Sequence, residues 1–267
     1  MEFTEAELPR NQPEYHYDLD PEQMQLKIAS LLERQPPPHD KEIVCYQLDD
    51  DTADVARTIE CQVFYKAFNN DPTEMEKIYG QYEDASRFYL SIDQYTGRPV
   101  GALRVIDDSE VGSMTLNDLP EKATTKSRQQ IMVDHNIDTL DTCWDIGTVA
   151  VLPEYRTKDN GVAVQLYRAM YVDAMKNDVS HILAIINKRV YDKMTGYLGI
   201  PFEQLSGTSS FDYEGSENNV AVSGYVPDFY SRMRRHSHSI KGMLARKALK
   251  SLVYGREDDA IMFDTRY

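Results

Sequence analysis

The chain has 267 residues, and its 44 acidic and 29 basic side chains give a formal net charge of −15. Hydrophobic residues make up 41% and charged residues 27%, which is typical of a globular protein rather than a disordered or fibrous one. The strong negative charge disfavours nonspecific binding to nucleic acid, because the phosphates would be repelled.

The sequence also argues against a membrane protein. It contains no run of 18 apolar residues, and its acidic start lacks the apolar core of a signal peptide. Three widely spaced cysteines (Cys45, Cys61 and Cys143) predict neither a disulfide framework nor a metal site. We therefore expect a cytoplasmic protein without a bound metal.

Residues 1–40 form an acidic N-terminal arm with one predicted helix. Asp20 and Pro21 provide a cap and a first helical residue, and three prolines at 36–38 end the helical stretch. Two interpretations are open for this arm: a lid or strap that packs on the rest of the chain, or a segment with a disordered tip.

Residues 41–227 alternate between strand and helix patterns, which predicts one mixed α/β domain. A strand at 42–48 is followed by a helix from Asp51, a more polar helix at 71–84 and a hairpin with Gly97 in its turn. After a polar stretch comes TCWDIGTVAVLP, a strand with an internal glycine typical of a β-bulge, and then a helix. An apolar strand (SHILAIIN), a helix that ends at Gly199 and two strands complete the pattern.

Residues 228–267 are predicted to be a basic, helical C-terminal extension. Residues 230–256 hold eight Lys or Arg and no Asp or Glu, and apolar residues lie at helical spacing among them. The positive face has two possible roles: it receives an acidic carrier protein or coenzyme phosphates, or it docks on the acidic N-terminal half of the same chain.

The segment from Val149 to Ala163 passes from strand through a polar loop into a helix. Such a loop directs free backbone N–H groups to one point, and the helix dipole adds positive charge there. Gly161 permits close approach of a ligand, while Arg156 and Lys158 add charge. The pattern predicts a pyrophosphate site, although an ordinary strand–helix connection explains the loop equally well.

The run VAVLPEYR followed by Gly161 resembles the acyl-CoA-binding motif of the GNAT acyltransferase superfamily. In this motif Arg156 and Gly161 match, whereas Asp159 replaces the usual first glycine. An acidic residue beside a pyrophosphate is unfavourable, which makes an acyl carrier protein an alternative donor to acyl-CoA. The sequence WDIGTVAV, together with Arg104 in the preceding hairpin, is similar to autoinducer synthases and related N-acyl amino acid synthases.

This resemblance implies a mainly antiparallel sheet with a bulged central strand, flanked by helices, and it implies a set of site residues. Backbone N–H groups would hold the thioester carbonyl and the donor arm. Asp145 would be the general base, and Tyr191 would take the place of the tyrosine that usually acts as general acid. Arg104 would bind a substrate carboxylate. Asp145 could instead accept a structural hydrogen bond, Tyr191 could pack in the core, and Arg104 could form a structural salt bridge. The residues assigned to the donor are Val149, Val151, Arg156, Thr157, Lys158, Asn160, Gly161, Val162 and Ala163.

The predicted function is acyl transfer from an acyl-CoA or acyl carrier protein thioester to a small-molecule amine, with an amino acid as one candidate acceptor. Two alternatives are open. A degenerate GNAT-like domain would bind ligands or partners without turnover, and an acyl-homoserine lactone synthase would use S-adenosylmethionine. Thr148 stands where the lactone-forming enzymes have an arginine, which speaks against the second alternative.

Overall fold

The computed structural model describes residues 15–156, 161–238, 242–253, 255 and 259–263. A nine-stranded sheet organises these residues, with eight strands in the order β6-β8-β5-β4-β3-β2-β1-β9 and β7 paired to β8. The strands are β1 (Ile43–Gln47), β2 (Ser86–Asp93), β3 (Arg98–Ile106), β4 (Cys143–Val151), β5 (His181–Asn187), β6 (Glu203–Gln204), β7 (Phe211–Tyr213), β8 (Ser216–Tyr225) and β9 (Asp259–Met262). Most neighbours are antiparallel, while β4–β5 and β1–β9 are parallel.

Helices cover both faces of this sheet. They are α1 (Pro21–Arg34), α2 (Ala53–Phe68), α3 (Pro72–Tyr79), α4 (Met114–Asn117), α5 (Arg128–Asp134), α6 (Val162–Lys176), α7 (Lys188–Lys193), α8 (Phe229–Ser237) and α9 (Gly242–Val253). The mixed, mainly antiparallel α/β fold predicted from the sequence is confirmed. None of the helices in the described part of the chain is long and apolar enough to span a membrane.

Side-chain alternation along β3 separates two cores. Leu103 and Val105 pack with α6 in the largest apolar cluster, whereas Ala102 points to the opposite face and packs with α2. We call these the α6 face and the α2 face. Because a strand exposes alternate side chains to the two faces, β1, β2 and β3 each contribute to both cores.

The N-terminal helix begins as predicted. The Asp20 carboxylate accepts hydrogen bonds from the backbone N–H groups of Glu22 and Gln23, and Pro21 occupies the first turn. Ile28 and Leu31 are buried in the α2-face core. The described part of the arm therefore packs on the sheet, as the strap interpretation predicts.

The C-terminal segment departs from the prediction of a wholly helical extension. Helices α8 and α9 are present, but Asp259–Met262 form β9, which pairs in parallel with β1 at one edge of the sheet. The sheet supplies the main-chain partners that make this short segment a strand. A second missed strand, Phe211–Tyr213, forms a tight hairpin with β8.

Candidate active site

The centre of the candidate site is strand β4, which is bulged as its internal glycine predicts. Arg104 pairs with Thr148 and Val105 pairs with Ile146, so Gly147 has no partner on β3. A Cβ atom at Gly147 would lie 3.0 Å from the Arg104 side chain, which explains why a glycine is suited to this position.

Beyond the bulge, β4 separates from its other neighbour. Its parallel register with β5 ends at the pair Ile146–Ala184, although β4 continues to Val151 and β5 continues to Asn187. The two central strands therefore diverge towards their C-terminal ends, and a gap opens within the sheet.

Main-chain groups of β4 face this gap. The Leu152 N–H donates to the Val100 carbonyl on β3 at 3.0 Å, so alternation directs the N–H groups of Val149 and Val151 away from β3. The Val151 carbonyl likewise points away from β3, because it accepts from Arg156 Nε at 2.8 Å. The sequence-derived donors Val149 and Val151 thus lie on the side of the strand that borders the gap.

The gap contains a cavity of about 440 Å³ that reaches both faces of the sheet. Helix α2 supplies Phe64 and Phe68. From the other face come Tyr167 of α6, Val190 of α7 and Met194, which directly follows α7. The lining is predominantly apolar, which suits an alkyl or pantetheine chain. The remaining lining residues are Val63, Ala67, Asn70, Tyr79, Ile146, Gly147, Thr148, Val149, Arg156, Ile185, Ile186, Asn187, Phe202, Tyr213, Glu214, Ser216 and Asn219.

The predicted anion-binding loop is only partly described. Arg156 is exposed and lines the cavity, Gly161 is the N-cap of α6 with φ of +64°, and Val162 and Ala163 begin the helix. Thr157, Lys158 and Asn160 lie outside the described residues, and their assignment stays a prediction. Glycine is favoured at position 161, because the left-handed backbone conformation there suits a residue without a Cβ atom.

Asp145 lies before the bulge, where β4 is paired on both sides. It is in register with Ile106 and Leu183, is 4% exposed, and accepts a hydrogen bond from the Thr115 N–H at 2.9 Å. Burial raises the pKa of this carboxyl group, and the hydrogen bonds from Thr115 oppose that rise. Asp145 does not line the cavity. Its role as general base stays a prediction, and it would require a water molecule to carry the proton from the amine to the carboxylate.

Tyr191 lies on α7 and packs against the α6-face core. The Lys188 ammonium stands 5.1 Å from the centre of its ring. Its helix neighbours Val190 and Met194 line the cavity, whereas Tyr191 does not. Tyr191 therefore has the contacts of a packing residue. Because it does not contact the cavity, the structure gives no support to its role as proton donor.

Arg104 belongs to a buried group of five charged residues, which we call the ion cluster: Asp54, Arg57, Glu60, Glu83 and Arg104. Arg104 is fully buried and lies 2.9 Å from a Glu60 oxygen and 2.8 Å from a Glu83 oxygen. Burial alone would raise the pKa of Glu83, but Arg104 and Arg57 outweigh it and lower that pKa. The structure therefore gives Arg104 the salt-bridge role that the sequence left open, with no contact to the cavity.

The ion cluster is joined to the site and to the N-terminal arm by hydroxyl groups. Thr148, next to the bulge, donates to Glu60, and Tyr17 of the arm donates to Glu83. The Arg104 guanidinium also lies 4.3 Å from the centre of the Tyr79 ring, and the Tyr79 hydroxyl donates to the Gly147 carbonyl at 3.4 Å. The cluster thus supports the bulged strand from the α2 face.

Sequence reasoning missed the polar residues at the α2-face end of the cavity. Tyr213 lines it and donates to Asp118 at 2.6 Å, and Glu214 follows in the turn between β7 and β8. Asn70 also lines the cavity, and its buried Nδ2 has no hydrogen-bond partner among the described residues. The only local signal was the Glu-Gly pair in DYEGSE, which is typical of a hairpin turn.

Comparisons with known proteins agree with the fold. No protein-family model and no curated protein matches the sequence. Among solved structures, FeeM, an N-acyl amino acid synthase from uncultured soil microbes, matches with a TM-score of 0.53 and 14% identity, covering 78% of this chain and 98% of FeeM. The chain therefore shares the fold of this synthase.

Two weaker structural matches were also found. The CoA-dependent acyl-homoserine lactone synthase BjaI has a TM-score of 0.46 and 11% identity, covering 83% of this chain and 93% of BjaI. A GNAT-family acetyltransferase from Staphylococcus aureus Mu50 has a TM-score of 0.42 and 12% identity, covering 69% of this chain and 99% of the acetyltransferase.

Proposed function

We propose that the chain is an N-acyltransferase that moves an acyl group from a thioester to an amine. The donor thioester is carried by coenzyme A or by an acyl carrier protein. One observation carries the proposal: the central strands diverge beside a bulge and leave an apolar cavity of about 440 Å³, bordered by main-chain N–H groups of β4. A thioester chain in this gap would present its carbonyl to those donors.

The reaction places specific demands on this gap. The amine nitrogen forms a C–N bond to the thioester carbonyl, the C–S bond breaks, and the thiolate takes up a proton. Negative charge develops on the carbonyl oxygen during the attack, so fixed N–H donors stabilise the transition state. The N–H groups of Val149 and Val151 are suited to this role because they already point away from β3.

The donor phosphates are assigned to the loop between β4 and α6. Arg156 supplies a guanidinium, and the first turn of α6, beginning at Val162, supplies unpaired N–H groups and the positive end of the helix dipole. The assignment of Thr157, Lys158, Asn160, Gly161 and Ala163 to the same phosphates belongs to this proposal. A carrier protein would present the pantetheine arm without the adenosine diphosphate.

Thiol release provides the test. The folded protein is mixed with acyl-CoA or acyl carrier protein donors and a panel of amines, and free thiol and amide are quantified together. Equal amounts of thiol and amide would support the proposal. Thiol without amide would indicate hydrolysis, and the absence of both with every donor would contradict it.

A second function is favoured by one observation: neither Asp145 nor Tyr191 lines the cavity. A GNAT-like domain that binds an acyl thioester without turnover would need no such residues. Saturable binding of acyl-CoA in calorimetry, combined with no amide formation across the amine panel, would support this binding module over the enzyme.

A further inference from the structure

The cavity has a different charge at each face of the sheet. Arg156 and Glu214 are the charged residues among its described lining. Arg156 follows β4 on the way to α6. Glu214 belongs to the α2 face, because its neighbour Tyr213 packs beside Tyr79, and a Cβ atom at Gly215 would lie 3.1 Å from Phe68 of α2. The two openings of the cavity therefore suit different ligands.

The backbone at Glu214 is unfavourable for a glutamate. Tyr213 pairs with Ser216, so Glu214 and Gly215 are the two central residues of a hairpin turn, with φ of +45° and +79°. Positive φ at both positions is the type I′ arrangement, which favours asparagine or glycine at the first of them. A strained residue that also borders a cavity indicates a functional role.

The Glu214 carboxylate is accessible to a ligand. It is exposed at the mouth of the cavity, and none of the described residues forms an ion pair or a hydrogen bond with its side chain. The surrounding protein and the nearby carboxylate of Asp118 raise its pKa, as does Glu74, while Lys77 lowers it. Lys77 is itself 3.3 Å from Glu74 and mostly exposed, and it does not line the cavity.

Among the described residues, no cation lines the α2-face end of the cavity. The other polar side chains in its described lining are neutral, and they include the Tyr79 and Tyr213 hydroxyls and the Asn70 amide. Arg104 is occupied by Glu60 and Glu83, and Asp145 is enclosed under Thr115. A carboxylate placed here would meet Glu214 without a compensating charge.

We propose that Glu214 binds the ammonium group of the acceptor and removes its proton, and that the acceptor is an amine that carries no carboxylate. This inference rests on the proposed N-acyltransferase function and narrows its acceptor. Asn70 Nδ2, a buried donor without a partner, would receive a neutral oxygen of the same acceptor or a water molecule.

The proton and electron balance is simple. The ammonium gives one proton to the Glu214 carboxylate and becomes a neutral amine. The amine lone pair forms the C–N bond as the C–S bond breaks, and the bonding electrons leave with sulfur. The nitrogen then loses a second proton to solvent, and the thiolate takes one from the Glu214 carboxylic acid, which restores the carboxylate.

The test combines one variant with a matched pair of acceptors. Thiol release and amide formation are measured with 2-phenylethylamine and with phenylalanine, which differ by a carboxylate. We expect kcat/KM to favour the amine by at least about tenfold, since a carboxylate would be repelled by Glu214. In Glu214→Gln, kcat should fall by about a hundredfold or more, and the rise of kcat with pH through the raised pKa of Glu214 should disappear.

Glu217→Gln is the control, because Glu217 is an exposed carboxylate on the same hairpin and does not line the cavity. A second variant, Glu214→Asn, should raise the thermal midpoint by relieving the turn while still lowering kcat. Asp145→Asn is measured beside these variants, because the family resemblance assigns the general base to Asp145.

The outcomes separate the two proposals. Activity with a preference for phenylalanine, or unchanged kcat in both Glu214 variants, would overturn the role of Glu214 and leave the acyltransferase function intact. A hundredfold loss in Asp145→Asn with none in Glu214→Gln would return the base to Asp145. No amide with any donor and amine would overturn the proposed function and this inference together.

Discussion

Arg104 and Arg156 both lie beside strand β4, yet their surroundings are opposite. Arg104 is fully buried in the ion cluster, where two carboxylates lie within 3 Å of it. Arg156 is exposed at the cavity, and no described carboxylate is within ion-pair distance of it. The same contrast separates the paired acids Glu60 and Glu83 from Glu214.

This comparison distinguishes charges that hold the fold from charges that await a ligand. A buried charge is tolerated only when its partners surround it, because its desolvation cost is otherwise several kcal/mol. An accessible charge on the wall of an apolar cavity has no such requirement and remains free for recognition. The ion cluster is therefore structural support for the bulge, and the cavity charges are the candidates for function.

The largest expected effect comes from breaking the ion cluster. Arg104→Met would leave Glu60 and Glu83 buried with fewer partners and should lower the free energy of unfolding by about 3–5 kcal/mol. Urea denaturation measures this loss. Arg98→Met, on the same strand, removes an exposed pair with Glu154 at 3.0 Å and should cost less than about 1 kcal/mol. Similar losses in both variants would remove the distinction.

A smaller effect is expected from filling the cavity on the α6 face. Val190 is 41% exposed and lines the cavity. Val190→Trp should therefore narrow the part of the cavity assigned to the acyl donor while the core remains intact. We expect donor affinity to fall by about tenfold, equivalent to about 1.4 kcal/mol, in calorimetry with acyl-CoA or the acyl carrier protein. Asp192→Trp, on the same helix but away from the cavity, should bind as the wild type does. Equal donor affinity in the wild type and both variants would contradict the assignment of this cavity to the donor.

The smallest effect concerns pH and a second group of internally satisfied polar residues. His135 Nε2 accepts from the Ser206 N–H at 2.9 Å, and its Nδ1 lies 2.8 Å from the Ser223 hydroxyl. Burial lowers the pKa of His135 from its usual 6.5. The His135 imidazole therefore binds a proton more readily in the unfolded chain than in the folded one. Its contribution to the free energy of unfolding is fully present above about pH 6.5 and is lost as the pH falls below that value.

Urea midpoints at pH 7.5, 6.5 and 5.5 test this dependence. Replacing His135 by glutamine should reduce the loss of stability between pH 6.5 and 5.5. Part of the loss that remains comes from His181, whose pKa is also lowered by burial. The exposed His39→Gln provides the control. An unchanged pH profile in the His135 variant would show that this buried histidine does not couple protonation to folding.

Local patterns in the sequence were sufficient for most elements of the fold. The Asp20–Pro21 cap, the hairpin turn at Gly97 and the bulge at Gly147 are set by residues close together in the chain. Strand β9 escaped detection because it is only four residues long and depends on pairing with the distant β1. Such a segment has too little local preference to define a strand without its neighbour.

The sequence by itself determined the mixed α/β fold, the bulged strand and the polar segment that opens α6, because each depends on local periodicity and backbone preference. Only the tertiary structure decided which charges face the cavity. The divergence of β4 and β5 brings α2, α7 and the β7–β8 turn around one space, although they are far apart in the chain. Asp145 lies where β4 is still paired on both sides, whereas Glu214 reaches the opening. Their different environments follow from strand separation, which no local pattern encodes.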